Sequence, residues 1–338
     1  MARFFKDSKQ CVLARNPYSG DEHEQYHRTQ CVALSRLRTI RQPIHPRFSH
    51  PFGRNWQGTV IKRALPSKQK RMIGAWCFLD HAGPVTFNQG DGLDVGPHPH
   101  IGLQTFTWMI EGTMLHSDSI GTVNQLIQPK QVNLMTAGYG ISHTEVAPAN
   151  ETHMHAAQLW IALPDDKLHM APQFDHYPEL PVVQQDGIAH TVLVGEFLQT
   201  TSPVQVHTPL LAVDMTATQE VITRIDLNPA FEYGFLALEG TADINGHHLN
   251  ADNMVVLEPG LTEIEVRFAA GSRILLLGGE PFASPVLLWW NFVGRTEEEL
   301  QKAREQWVNE DERFGSIPSY VGKRLIAPEF IGHVRASK

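Results

Sequence analysis

Met109-Ile110-Glu111-Gly112-Thr113 returns later in the chain as Ala237-Leu238-Glu239-Gly240-Thr241, and the fold is read outward from this pair. In both places an apolar run ends in Glu-Gly-Thr, where glycine permits the tight reversal of a hairpin. On either side lie short runs of Val, Ile, Leu, Thr and aromatics: Gly58 to Ala64, Leu103 to Ile110, Gln131 to Met135, Gln158 to Leu163, Thr191 to Val194, Phe231 to Leu238 and Arg273 to Leu277. Turn signals such as Ile244-Asn245-Gly246 and Glu258-Pro259-Gly260 separate them. Many short strands at this spacing predict an all-β sandwich or barrel, and a repeated strand–turn unit in 338 residues predicts two copies of it. No G-x-G-x-x-G opens a helix after the first strand, which removes support for a dinucleotide fold. One helix is expected: Thr296-Glu297-Glu298-Glu299 is a capping box, and Leu300, Ala303, Arg304 and Trp307 follow at helical spacing, to an end near Phe314-Gly315. The Pro-rich stretch Leu163 to Val182 reads as the connector, and residues 1–55 as an N-terminal extension.

Composition narrows the function. Lys and Arg total 28 against 36 Asp and Glu, a net charge of −8 that lacks the basic footprint of a direct nucleic-acid binder. Three cysteines without C-x-x-C exclude a disulfide scaffold or a cysteine zinc cluster. The opening Met1-Ala-Arg-Phe-Phe-Lys-Asp meets charge before an apolar run can form, and no run is long enough to span a membrane. The expectation is a cytoplasmic protein with no membrane contact.

The 18 histidines are numerous enough for H-x-H to arise by chance, and two occur, His98-Pro99-His100 and His153-Met154-His155. The first sits in a glycine frame: Gly96 before it, Gly102 after it, and Gly138-Tyr139-Gly140 ahead of His143-Thr144-Glu145. On a strand, residues i and i+2 share a face. Two such pairs on neighbouring strands would bring His98, His100, His143 and Glu145 to a single ion, a donor set suited to Fe, Mn, Ni, Co, Cu or Zn. In the second half, the positions corresponding to His98 and His100 are Asp226 and Asn228, and no H-x-E follows, so that barrel is expected to be metal-free.

Other histidines take plainer readings. His153 and His155 are expected to be structural, His247-His248 to lie on an exposed hairpin turn, and His116 to be a hydrated loop residue. His23, His27, His45 and His50 are expected in solvent. Asp80-His81 reads as a structural corner, Cys77 as buried filler, and Leu287 to Trp290 as packing for the C-terminal segment.

The ordered set Trp76-Cys77-Phe78-Leu79-Asp80-His81, Pro97-His98-Pro99-His100, Met135-Thr136-Ala137-Gly138-Tyr139-Gly140-Ile141-Ser142-His143-Thr144-Glu145, Gln158-Leu159-Trp160-Ile161, Leu180-Pro181-Val182-Val183 and Asn291-Phe292-Val293-Gly294 resembles the pirin family of bicupins. The resemblance runs from about residue 56 to 315. It implies two stacked cupin β-barrels with a C-terminal helix, residues 56–182 forming the metal-bearing barrel and 183–338 a barrel without ligands plus helix and tail. It also implies Fe(II) on His98, His100, His143 and Glu145. Two departures stand out. Gln104 replaces a Glu of the wider cupin pattern and is expected to be a hydrogen-bonder behind the metal. Lys130 replaces a turn glycine, so a different turn is expected there.

The implied activity is that of a quercetin 2,3-dioxygenase, opening a flavonol or related enol with O2 at a mononuclear Fe(II), with a small aromatic molecule as substrate. Glu145, the one carboxylate placed at the metal, is then both ligand and candidate catalytic base. The alternative is a non-enzymatic, iron-dependent redox sensor that regulates transcription through protein partners.

Overall fold

The computed structural model describes residues 37–41, 44–45, 61–251, 253–330, 333–334 and 336–337. The repeat in the sequence becomes a repeat in the topology. The first barrel joins a seven-stranded sheet, ordered Gln173–Tyr177, Val132–Thr136, Leu103–Glu111, His153–Ala162, Trp76–Thr86, Ile61–Leu65 and Ile44–His45, to a four-stranded one. That smaller sheet is ordered Asp94–His100, Ile141–Val146, Met114–Asp118 and Gln125–Ile127. The second barrel has the same seven-plus-four plan, with Glu232–Glu239 third in its large sheet as Leu103–Glu111 is third in the first. Glu111-Gly112 and Glu239-Gly240 thus close equivalent strands, and both glycines take a positive φ, 78° and 64°.

The chain is all-β with one α-helix among the described residues, and no described helix is long and apolar enough to cross a membrane. The N-terminal region contributes more than an arm: Leu37–Arg41 pairs antiparallel with Asn253–Leu257 at the edge of the second barrel's large sheet. Its place there matches that of Gln173–Tyr177, from the Pro-rich connector, in the first barrel. The N-terminal histidines His23, His27 and His50, the side chain of His45, and Cys11 and Cys31 lie outside the described residues.

The two large sheets face each other. Leu103–Glu111 is buried on both sides, because one side lines the first barrel's interior and the other meets the second barrel. Phe106, Trp108, Leu159, Ile161 and Trp76 pack against Leu236, Met254, Val256, Leu275 and Leu277 in one shared core. Hydrogen bonds cross it: Trp76 Nε1 donates to the Leu211 and Gly278 carbonyls, and Trp108 Nε1 to Asp214 Oδ2 at 2.6 Å. Inside the second barrel, Phe235, Phe268, Ile244, Val266 and Leu276 fill the space, while Asp226 and Asn228 stand exposed on its surface.

The helix spans Glu297–Val308 and carries the expected capping box, Glu299 N–H donating to Thr296 Oγ1 and Thr296 N–H to Glu299 Oε2. It stops before Phe314, which lies in a separate 3-10 turn, Glu312–Phe314. Although it follows the second barrel in sequence, the helix buries Leu300, Ala303 and Trp307 against Ile101, Phe292 and Phe314, on the first barrel's side. The hairpin before it, Leu287–Trp289 and Phe292–Gly294, is tied there by the Val293 N–H to Ile101 carbonyl bond. Lys130 takes φ 68°, the left-handed conformation that glycine adopts most readily.

Candidate metal centre

His98 and His100 lie on Asp94–His100, which pairs antiparallel with Ile141–Val146 in a register that sets His143 directly across from His98. The register slips between His143 and Glu145, which faces Val95, so the extra residue falls at Gly96-Pro97. Proline has no N–H for the ladder, and a bulge is where a strand accommodates it. The bulge turns both histidines of the pair inward.

The three imidazoles have ligand nitrogens that all lie within 4.8 Å of one another. All three side chains are buried, and His100 Nε2 and His143 Nε2 are 3.1 Å apart. Their partners assign the tautomers. His98 Nδ1 lies 2.9 Å from the Gly96 carbonyl and His100 Nδ1 3.0 Å from that of Asn291; a carbonyl only accepts, so both Nδ1 atoms carry the proton. His143 Nδ1 meets His116 Nδ1 at 3.4 Å, and His116 Nε2 meets the Asp118 carboxylate at 3.2 Å. His116 therefore donates from Nε2 to Asp118 and accepts at Nδ1 from His143. The tautomers leave the lone pairs of His100 and His143 on Nε2, and two lone pairs 3.1 Å apart repel unless a cation lies between them.

The electrostatics agree with this assignment. Burial lowers His98 to about 4 and holds His100 and His143 well below the usual histidine range, so all three stay neutral donors at pH 7. Burial also works against the Asp118 carboxylate, but hydrogen bonds from His116 and Thr122 outweigh it and hold the group below its ordinary value. An anion thus anchors the far end of the His116 relay, an arrangement that orients metal-bound histidines. His116 is not the hydrated loop residue expected: it sits in strand Met114–Asp118, buried, with its ring stacked on Phe174 at 4.2 Å.

Glu145 lines the same cavity but lies outside the three-histidine cluster. Burial pushes its carboxyl up to about 7. The donor set, three neutral imidazoles with a carboxylate beside them, fits a borderline transition metal.

The cavity measures about 410 Å3. Phe78 and Trp160 stack in its wall at 4.0 Å and 14°, and Trp160 meets the His100 ring edge-on at 5.1 Å. Arg63 grips Asp80 through two hydrogen bonds of 2.8 and 2.7 Å while its guanidinium lies 4.4 Å above the Phe78 ring. Both charges line the cavity, so Asp80 belongs to the site and not merely to a structural corner. Leu288, Trp290 and Asn291 close it from the C-terminal hairpin, a role beyond packing. Gln104 is absent from this wall: it alternates with Thr105 and Thr107, which face the cavity, and its amide instead bonds Thr136 and the Gln205 carbonyl, so it does not stand behind the metal.

His81 and His155 face the other way, toward the second barrel, with their Nε2 atoms 2.8 Å apart and His155 Nδ1 3.6 Å from Glu239. His153 is exposed, as is His248 beyond the Asn245-Gly246 turn. Cys77 is buried, with its thiol pushed up to about 12 by burial, which keeps it inert.

Two family models match the chain: Pirin over residues 58–161 and the Pirin C-terminal cupin domain over 212–315. A Pseudomonas aeruginosa protein carrying the provisional name quercetin 2,3-dioxygenase is 49% identical, over 80% of this chain and 86% of its own length. A Caulobacter vibrioides pirin-like protein is 35% identical, over 73% of this chain and 87% of its own. The crystal structure of a quercetin 2,3-dioxygenase from Acinetobacter baumannii is 67% identical and superposes with a TM-score of 0.86, covering 91% of this chain and 100% of its own.

Proposed function

The chain belongs to the pirin family, and from that premise we propose that it is a metal-dependent, quercetin 2,3-dioxygenase-like oxidoreductase that opens a flavonol or related enol with O2. The observation that carries this reading is the cluster of three imidazole lone pairs opening into an aromatic-walled cavity. At about 410 Å3 the cavity falls within the range of roughly 300–1,000 Å3 that holds a small organic ligand. A wall built on stacked Phe78 and Trp160 suits a flat conjugated molecule. The names of the Pseudomonas and Acinetobacter relatives point to the same class of substrate.

In this reading the barrel over residues 56–182 carries the chemistry and the one over 183–338 supports it. His98, His100 and His143 would hold Fe(II), with Glu145, on the wall of the same cavity, as the fourth donor. When bound, the ion supplies the one-electron chemistry through which O2 attacks a closed-shell organic molecule. The chain's own residues do the remaining work. Phe78 and Trp160 hold the ring system flat, and the apolar wall keeps water from the reacting carbon. Glu145 accepts the substrate's hydroxyl proton on a carboxylate oxygen as the substrate ionises, the general-base role its place on the cavity wall allows.

Oxygen uptake with quercetin tests the reading, on protein loaded anaerobically with Fe(II) beside a His143→Ala control. Uptake by the parent and none by the control is the expected result. Glu145→Gln should lower turnover about 100-fold or more; full turnover with full metal content would remove Glu145 from both roles. A parent that holds one iron yet takes up no oxygen would overturn the enzyme reading in favour of a redox-sensing regulator with protein partners.

A further inference from the structure

We propose that the side-chain amide of Asn291 orients the substrate by hydrogen-bonding an adjacent hydroxyl and carbonyl, and so selects α-hydroxy-enones; this rests on the dioxygenase reading above. Asn291 is fully buried and lines the cavity together with His100 and His143. Its backbone carbonyl already has a task, accepting the proton of His100 Nδ1 at 3.0 Å. Its side chain has none: both Nδ2 and Oδ1 are buried without a hydrogen-bond partner. Buried polar atoms are nearly always paired, and an amide with both ends unpaired at a cavity wall marks a place where a ligand supplies the partners.

The local backbone supports this. Asn291 sits in the turn between Leu287–Trp289 and Phe292–Gly294, and its neighbour Trp290 takes φ 52°, a left-handed conformation disfavoured for a bulky residue. Strain of this kind persists where the surroundings hold it, and here it fixes the turn that places Asn291 in the cavity lining. The amide presents N–H donors and a carbonyl acceptor side by side on one carbon. A hydroxyl next to a carbonyl offers the complementary acceptor and donor, whereas an isolated ether or a hydrocarbon edge does not. A site built to bond a hydroxyl discriminates against the analogue that lacks it, because its own polar group is then left unpaired.

The test compares quercetin with luteolin, which keeps every other hydroxyl but lacks the one on the enone carbon α to the carbonyl. Binding to anaerobic, metal-loaded protein is read by quenching of tryptophan fluorescence, since Trp160 and Trp290 line the cavity. The parent should bind quercetin about five- to tenfold more tightly than luteolin. Asn291→Ala and Asn291→Leu should erase that difference while leaving metal stoichiometry intact, because the backbone carbonyl to His100 remains. Asn291→Leu should also match or exceed the parent Tm, since it removes an unsatisfied buried amide at similar volume. A quercetin-to-luteolin ratio that stays at the parent value in both variants overturns the proposal, and a lowered Tm beside an unchanged ratio assigns Asn291 a structural role instead. A parent that binds neither compound overturns the flavonol reading itself, and the proposal with it.

Discussion

Three imidazoles whose Nδ1 protons are each committed elsewhere leave three Nε2 lone pairs in one buried space. Two of those commitments are to backbone carbonyls, Gly96 and Asn291, which no side-chain substitution removes. The third runs through a side chain, from His143 to His116 and on to Asp118. That makes His116 the vulnerable part of the centre. His116→Ala removes the acceptor for the His143 Nδ1 proton and lets that ring choose its tautomer. The expected result is a fall in metal affinity of about 10- to 100-fold with the barrel still folded, measured by competition with a chelator of known affinity. An unchanged affinity would show that packing alone orients His143.

At the scale of the element, the centre depends on backbones that approach one another too closely for a side chain. Gly102 follows the His98-Pro99-His100 strand with φ 66°, and a Cβ there would stand 2.1 Å from the Val293 carbonyl oxygen. A Cβ on Gly96 would stand 2.4 Å from the Lys323 carbonyl oxygen. What presses on the metal-bearing strand in both cases is the C-terminal segment, which also brings Leu288, Trp290 and Asn291 to the cavity. Gly102→Ala combines an unfavourable φ with a backbone collision, so a loss of at least about 2 kcal/mol is expected in urea denaturation. Because Val293 moves with Asn291, the His100 carbonyl bond should loosen and metal affinity fall as well. The glycine frame is visible in the sequence; the partners that make it necessary, Val293 and Lys323, lie near the far end of the chain and are not.

At the scale of the molecule, the two barrels share one core, and polar groups are sealed inside their contact. Burial lowers His81 to about 3 and also lowers His155, with the nearby charges of Lys62, Arg273, Glu239 and Glu111 acting as smaller influences. In the unfolded chain these rings protonate near 6.5. Below that pH the unfolded state binds protons that the folded state refuses, so stability is lost as pH falls from about 6.5 toward 3. Each such ring contributes up to about 1.4 kcal/mol per pH unit in that window. The Tm of metal-free protein should therefore drop on acidification from pH 7 to pH 5, and His81→Leu should make that drop shallower. Equal slopes in the two proteins would place the acid-sensitive groups elsewhere.

The sequence by itself determined the repeat, the all-β architecture, the capped helix and the three histidines that converge. These follow from local rules: a period of two on a strand, glycine at a reversal, Thr and Glu three apart at a helix start. Tertiary structure alone decided which face of each strand looks into the cavity. Leu103–Glu111 and His153–Ala162 are buried on both sides, so hydrophobic alternation cannot separate the barrel interior from the contact between barrels. Gln104, whose strand position reads equally well as the metal side, therefore faces the second barrel, and Asp80 lies on the cavity wall where its local sequence suggests only a corner. His116 and Asn291 are illegible in the sequence for a second reason: strand register brings His143 to one, and the return of the C-terminal segment brings His100 to the other. Local spacing encodes a residue's neighbours along the strand, whereas its neighbours across the cavity exist only after the sheets close.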